Sequence, residues 1–303
     1  MTATRPMILP LPGNEALAAS LAGTAGAELG RVTVRHFPDG ETYVKIESSV
    51  EGREVVLACT LHRPDDKVLP LAFVAATARE LGAAGVGLVA PYLAYMRQDR
   101  RFRAGEGITS TYFARLLSTA VAWIVTVDPH LHRRTNLGEI YSIPTTVGHA
   151  APLLSEWIAE RVQRPVLVGP DAESAQWVNA VAGAAGAPSV VLEKVRHGDR
   201  DVEVKLPDMD RWREHTPVLI DDIISTAGTM IETVRRLRRS GFAAPVCIGV
   251  HPVFAPGAYE ELLESGAREV VTCNTIPHVS NGIDVVPLLA RGLTDQLARL
   301  APQ

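Results

Sequence analysis

The chain has 303 residues, 47% hydrophobic and 21% charged, with a formal net charge of −4 at pH 7. That length suits two α/β domains of about 150 residues each, and the mildly acidic balance argues against general nucleic-acid binding, which needs a basic footprint. No apolar run reaches the roughly 18 residues of a membrane span, so no membrane partner is expected.

Strand-like and helical runs alternate along almost the whole chain. EVVLA at 54–58 predicts a buried strand, followed by a helix over about 66–81, the strand VGLVAP at 86–91, a polar loop, a helix over 109–120 and the strand WIVTVD at 123–128. An extended segment near 144–150, containing a proline, then leads to a new helix and marks the expected domain boundary. The second half continues with PVLVGPD at 165–171, a helix over about 172–186, SVVLE at 189–193, PVLID at 217–221, a helix ending before Gly241, and VCIGV at 246–250. Short apolar runs bounded by Gly and Pro and separated by helices predict parallel sheets covered on both faces. The stretch beginning VVLACTLHRPDDK and the stretch beginning PVLIDDIISTAGT share the order strand, loop, helix, Gly, strand, which reads as an internal duplication. Cys59, Cys247 and Cys273 are odd in number, widely spaced and set in apolar runs, so they read as reduced core residues. The opening MTATRPMILPLPGNEALA has neither a secretory core nor a transit pattern, and a cytoplasmic location is expected.

Six loops hold candidate chemistry at strand ends, where open α/β sheets bind ligands. FPDGE at 37–41 reads as a hairpin turn or a ligand loop, since Asp-Gly is a strong turn signal. YMRQDRRFR at 95–103 is a solvated charge run or a nucleotide contact, with Arg97 and Gln98 directly after a buried strand. Asp128 and His130 at alternate positions point the same way if the backbone stays extended. Asp171 in GPD is a helix N-cap or a ligand. Lys194 and Arg196 in EKVRHGDRD share one side of an extended chain, on a flap or a surface hairpin. VLIDDIISTAGT at 218–229 is the most informative: a buried strand carries Asp221 and Asp222 to its end. Ser225, Thr226, Ala227, Gly228 and Thr229 follow, small enough for backbone N–H groups to wrap a phosphate at the positive end of a helix.

FPDGE, YxRQDRR, Asp128-x-His130, Pro170-Asp171, Lys194-x-Arg196 and the final acidic loop, in this order, resemble the ribose-phosphate diphosphokinase (phosphoribosyl-diphosphate synthetase) family over essentially the whole chain. The resemblance implies an α/β fold of two duplicated type I phosphoribosyltransferase-like domains, over 1–146 and 147–303, with the last helix free to pack back on the first. It implies transfer of the diphosphoryl group of ATP to the C1 hydroxyl of ribose 5-phosphate, leaving AMP. By resemblance Phe37, Asp39, Gly40 and Glu41 hold the adenine end from a neighbouring subunit, and Arg97 and Gln98 contact ATP. His130 and Asp171 sit at a Mg2+ site, with Asp128 beside or behind them. Lys194 and Arg196 lie on the catalytic flap, with Arg196 also meeting the ribose 5-phosphate. Asp221 holds ribose hydroxyls, Asp222 is its neighbour, and 225–229 surround the 5-phosphate. A dimer-based homo-oligomer follows from a pocket completed by a second chain.

The pattern departs from the family at four places. Ser225 stands where many members have Asp, and Glu173-Ser174 replaces the usual Gly-Gly. The 100–107 segment is about one residue short, which is closer to the archaeal type, where inhibition by ADP and activation by phosphate are not expected. Glu193 and Val195 alter the basic flavour of the flap. Two other readings stay open: a type I phosphoribosyltransferase that consumes the activated sugar, and a non-catalytic nucleotide-sensing homologue.

Overall fold

The computed structural model describes residues 5–131, 133–170, 174–196, 202–205 and 209–300, with 193–196 and 202–205 described as strand backbone. The chain divides into two compact units, Met1–Gly148 with Val286–Gln303, and His149–Val285.

The first unit opens with β1 (Met7–Pro10), α1 (Glu15–Ala25), β2 (Glu28–Leu29) and the hairpin of β3 (Val32–His36) and β4 (Thr42–Ile46). It continues through β5 (Glu54–Ala58), α2 (Asp65–Glu80), β6 (Gly85–Ala90), α3 (Thr109–Ala120), β7 (Ile124–Val127) and β8 (Thr145–Gly148). Its six-stranded sheet has the order β2-β1-β5-β6-β7-β8, all parallel. Val55, Val56, Leu57 and Ala58 are fully buried, as expected of a parallel strand covered on both faces. A Cβ at Gly87 would lie 2.0 Å from Trp123; glycine there makes room for the indole, a fully buried large side chain.

The second unit runs α4 (Ala151–Arg161), β9 (Pro165–Gly169), α5 (Ala175–Ala184), β10 (Ser189–Val191), the antiparallel pair β11 (Glu193–Arg196) and β12 (Val202–Lys205), and β13 (Thr216–Ile224). Then come α6 (Gly228–Arg239), β14 (Val246–Pro252), α7 (Ala258–Glu264), β15 (Glu269–Cys273) and β16 (Asn281–Ile283). Its sheet has the order β10-β9-β13-β14-β15-β16, the same permutation as the first. Each sheet places its second strand outside its first, then crosses to the other side, and each carries a separate two-stranded hairpin at that crossing. The duplication read from the sequence is therefore present in the topology. The run SVVLE does not form one strand: β10 ends at Val191, and after the buried Leu192 the chain enters β11.

The last helix, α8 (Val286–Leu300), belongs to the first unit. It lies on β7 and β8, where Gly148 faces Leu288 and Gly292 faces Val125, each too close for a Cβ. Gln296, 1% exposed, shares a hydrogen bond of 3.2 Å with the Thr146 hydroxyl, which satisfies polar atoms that the packing removes from water. The three cysteines are free and buried, and burial pushes the Cys59 and Cys247 thiols up to about 12. Among the described residues no helix is long and apolar enough to cross a membrane.

Candidate active site

The order of each sheet reverses between its first and third strands, and the crevice at such a switch point is where doubly wound folds bind ligands. The two switch points differ in what fills them.

In the second unit the pairing of β13 with β9 ends at Leu219 and Val168, while pairing with β14 continues to Ile224. Asp221 and Asp222 lie past the end of the β9 pairing, half-buried, and the Asp222 N–H donates to Asp221 Oδ1 at 2.9 Å. The strand runs three residues beyond Asp221, so the acids sit within its last turn of pleat rather than at its tip. Ser225 follows, its carbonyl accepting the Ala255 N–H at 3.1 Å, then the exposed Thr226. Ala227 has φ +57°, a left-handed backbone that costs an L-residue about 1 kcal/mol or more. That turn starts α6 directly, with no side chain capping its N-terminus, so the N–H groups of its first turn open onto the loop beside the acids. The positive end of α6 thus faces the loop, and Arg236, Arg238 and Arg239 stand at its opposite, negative end.

The first unit's switch point is closed by its own side chains. Asn14, 3% exposed, accepts the Thr60 N–H at 2.8 Å and donates to the Leu11 and Pro12 carbonyls. Lys67 Nζ donates to the Thr60 carbonyl at 2.8 Å and lies 3.1 Å from His62 Nδ1. Burial, with Lys67 and Arg63 nearby, lowers the His62 pKa to about 4. Asp65 and Asp66 occupy the first turn of α2, where carboxylates repel an anion. At the corresponding point of the second unit, Asp221, Asp222 and the 225–229 loop follow the end of the β9 pairing instead.

Around β6 and β7 of the first unit, two candidate loops are fastened together. Arg97 is exposed, while the Gln98 carbonyl accepts the Ser110 N–H at 3.3 Å. The Asp99 carboxylate, 4% exposed, takes Arg133 Nη1 at 3.1 and 3.3 Å. Arg134 Nη2 donates to the Asp99 carbonyl and to Ser110 Oγ, each at 3.3 Å, and its buried Nε has no partner. Farther along, Glu106 Oε2 accepts the N–H groups of Phe102 and Arg103 at 2.8 and 3.0 Å. The run at 95–103 is thus neither wholly solvated nor wholly free: its arginines at 97, 100, 101 and 103 are exposed, but Gln98 and Asp99 are tied down.

After β7 the chain does not stay extended, which corrects the expectation of alternate side chains on one side. Asp128 has φ +32° and His130 φ +57°; the Asp128 N–H donates to the Gly148 carbonyl at 3.1 Å and the His130 N–H to the Asp128 carbonyl at 2.8 Å. The result is a tight, strained turn with both side chains half-buried, and strain of this kind collects at functional sites. Among the described residues no group of three His, Cys, Asp or Glu is arranged to hold a metal. Asp171 lies outside the described residues. Lys194 and Arg196 stand in β11 opposite Val204 and Val202; their side chains lie outside the description.

FPDGE is the turn of the β3–β4 hairpin. The Phe37 N–H reaches the Glu41 carbonyl at 2.8 Å, Gly40 adopts φ +92°, and Asp39 Oδ1 accepts the Glu41 N–H at 3.1 Å. Phe37 is 40% exposed. Asp99, Arg133 and Arg134 were not singled out from the sequence; the Arg-Arg pair three residues past Asp128-x-His130 was the available signal.

A family model for the N-terminal domain of ribose phosphate pyrophosphokinase matches residues 6–120, and one for the phosphoribosyl transferase domain matches 136–289. A ribose-phosphate pyrophosphokinase of Methanothermobacter thermautotrophicus is 33% identical, covering 95% of this chain and 100% of that protein. One of Methanopyrus kandleri is 33% identical, covering 90% and 93%. The crystal structure of phosphoribosylpyrophosphate synthetase from Mycobacterium smegmatis superposes with a TM-score of 0.84 at 26% identity, covering 98% and 100%.

Proposed function

We infer the reaction from one premise: this chain belongs to the ribose-phosphate pyrophosphokinase family. On that reading it moves the diphosphoryl group of ATP onto the C1 hydroxyl of ribose 5-phosphate and releases AMP. The observation that supports it is the switch point of the second unit, where two adjacent carboxylates precede a left-handed turn and a helix N-terminus with no side-chain cap.

A sugar phosphate matches that arrangement in both its parts. Asp221 and Asp222 accept hydrogen bonds from ribose hydroxyls, and the Ser225 and Thr226 hydroxyls with the first N–H groups of α6 take the 5-phosphate. The attack at the β-phosphorus creates little covalent work for the protein; it requires alignment of the sugar oxygen with the departing AMP oxygen and neutralisation of the phosphate oxygens. Lys194 and Arg196 supply positive charge for that, and Arg97 and Gln98 hold the nucleotide. Phe37, Asp39, Gly40 and Glu41 hold the adenine end, brought by a second copy of the chain in a homo-oligomer.

A carboxylate and an imidazole at the strained turn of Asp128 and His130 suit part of an oxygen-rich Mg2+ shell that phosphates and water complete. Together with Asp171 they would hold the ion, which draws charge from the transferring phosphates. The cytoplasm, where ATP and sugar phosphates are available, is the setting for this chemistry.

A phosphoribosyltransferase that consumes the activated sugar accounts for the 221–229 loop but gives no role to the first unit's loops. Incubation of the pure protein with ATP, Mg2+ and ribose 5-phosphate, with no base added, separates the readings. AMP as the nucleotide product is expected; ADP would mean a simple kinase and overturn the mechanism.

A further inference from the structure

We propose that Arg35 and Tyr43 are positioning residues that hold the Phe37 ring for the nucleobase of the donor, forming a three-membered stack on one face of the β3–β4 hairpin. The inference rests on the reading that this hairpin meets the adenine end of ATP.

The geometry begins with register. Arg35 pairs directly with Tyr43 across the hairpin, and Phe37, two residues after Arg35, returns to the same face as the chain enters the turn. The Arg35 guanidinium carbon lies 4.2 Å from the Tyr43 ring centre and 4.7 Å from that of Phe37, both within the range where a cation is attracted to an aromatic face. The two rings also meet each other edge to face, with centres 5.9 Å apart and planes at 83°, the arrangement that the ring quadrupoles favour. Among the described residues no carboxylate pairs with Arg35, so its charge is directed to the rings.

The hairpin belongs to neither six-stranded sheet, and Phe37 keeps 40% of its surface in water. An exposed phenyl ring ordinarily samples several rotamers and surrenders that freedom when a base stacks on it. Here the cation beneath it and the ring edge beside it select one orientation before the nucleotide arrives. A purine, with its larger face, gains more from a fixed platform than a pyrimidine does. The sequence contains this device at i, i+2 and i+8, a spacing that has no meaning until the hairpin brings Tyr43 back opposite Arg35.

The test is steady-state kinetics at saturating ribose 5-phosphate for Arg35→Ala, Tyr43→Ala, Tyr43→Phe and Phe37→Ala, each checked for an unchanged unfolding midpoint. Arg35→Gln replaces Arg35→Ala if the latter does not fold. The expected result is a KM for ATP raised about two- to fivefold in Arg35→Ala and Tyr43→Ala, with kcat and the KM for ribose 5-phosphate unchanged. The preference for ATP over CTP falls in parallel, and Tyr43→Phe, which keeps the ring, restores the wild-type KM. A KM for ATP unmoved in both alanine variants, while Phe37→Ala raises it, would overturn the stack and leave the hairpin's role intact. Equal losses toward both substrates would also overturn it. If Phe37→Ala moves nothing either, the assignment of the hairpin to the nucleotide fails and the stack falls with it.

Discussion

Asp99→Asn isolates the clasp between the two loops of the first unit. The substitution keeps the shape of the side chain and removes its charge, leaving the Arg134 bond to the Asp99 backbone carbonyl in place. What is lost is the charge-assisted contact with Arg133, whose two distances of 3.1 and 3.3 Å go to a single nitrogen. Breaking a fully buried ion pair costs about 3–5 kcal/mol, but the Arg133 side chain is 31% exposed and regains water when its partner is neutralised. A loss of about 1–2 kcal/mol is therefore expected. If the clasp holds Arg97 and Gln98 in register with the turn at Asp128 and His130, about the same energy is lost from the transition state, so kcat/KM for ATP falls about 5- to 30-fold. The KM for ribose 5-phosphate should not change. Urea unfolding and initial rates measure the two halves of the claim. A variant with an unfolding midpoint and kcat/KM for ATP both indistinguishable from wild type would refute the idea that Asp99 couples the loops.

Lys194→Ala is expected to lower turnover by about 10²–10³-fold, from the ~3–4 kcal/mol typical of a lost transition-state donor, with the urea midpoint unchanged; near-normal turnover would remove the flap assignment. His62 gives a pH signature. Burial lowers its pKa in the folded chain to about 4, below the ordinary value near 6.5, so between those limits the unfolded chain binds more protons. Stability from this group is present above about pH 6.5 and is lost as pH falls toward 4. Because the ring is only about half-buried, screening reduces the effect to about 1 kcal/mol. His62→Gln should flatten that part of the wild-type stability profile, measured as urea midpoints between pH 7 and 4.5, and an identical profile would contradict it.

Much of the scaffold is legible in the sequence because parallel strands buried on both faces need unbroken apolar runs, as in EVVLA and VGLVA. The Asp-Gly turn at 39–40 likewise specifies the first hairpin locally, and it leaves Phe37 40% exposed. Other features depend on partners distant in the chain. Asp128 still follows the β7–β8 ladder through its N–H to Gly148, but the backbone then turns at positive φ and closes on His130, so the extended geometry on which a shared side for Asp128 and His130 depended is not formed. The return of α8 to the first unit depends on Gly148 and Gly292 meeting side chains of elements far apart in sequence. In SVVLE the periodicity is uniform, yet Leu192 is buried and the chain changes sheets there. Asp99 is legible as part of a motif but not as the partner of Arg133, thirty-four residues on.

Diphosphoryl transfer requires attack at the β-phosphorus of ATP, whereas a simple kinase attacks the γ-phosphorus. Phosphorus NMR of a reaction containing ATP with oxygen-18 in the non-bridging positions of its β-phosphate, Mg2+, ribose 5-phosphate and this protein follows that group through the isotope shift of its resonance. The expected result is that the label leaves the nucleotide and appears, joined to the γ-phosphate, on C1 of the sugar, with unlabelled AMP beside it. Label retained in ADP would contradict it.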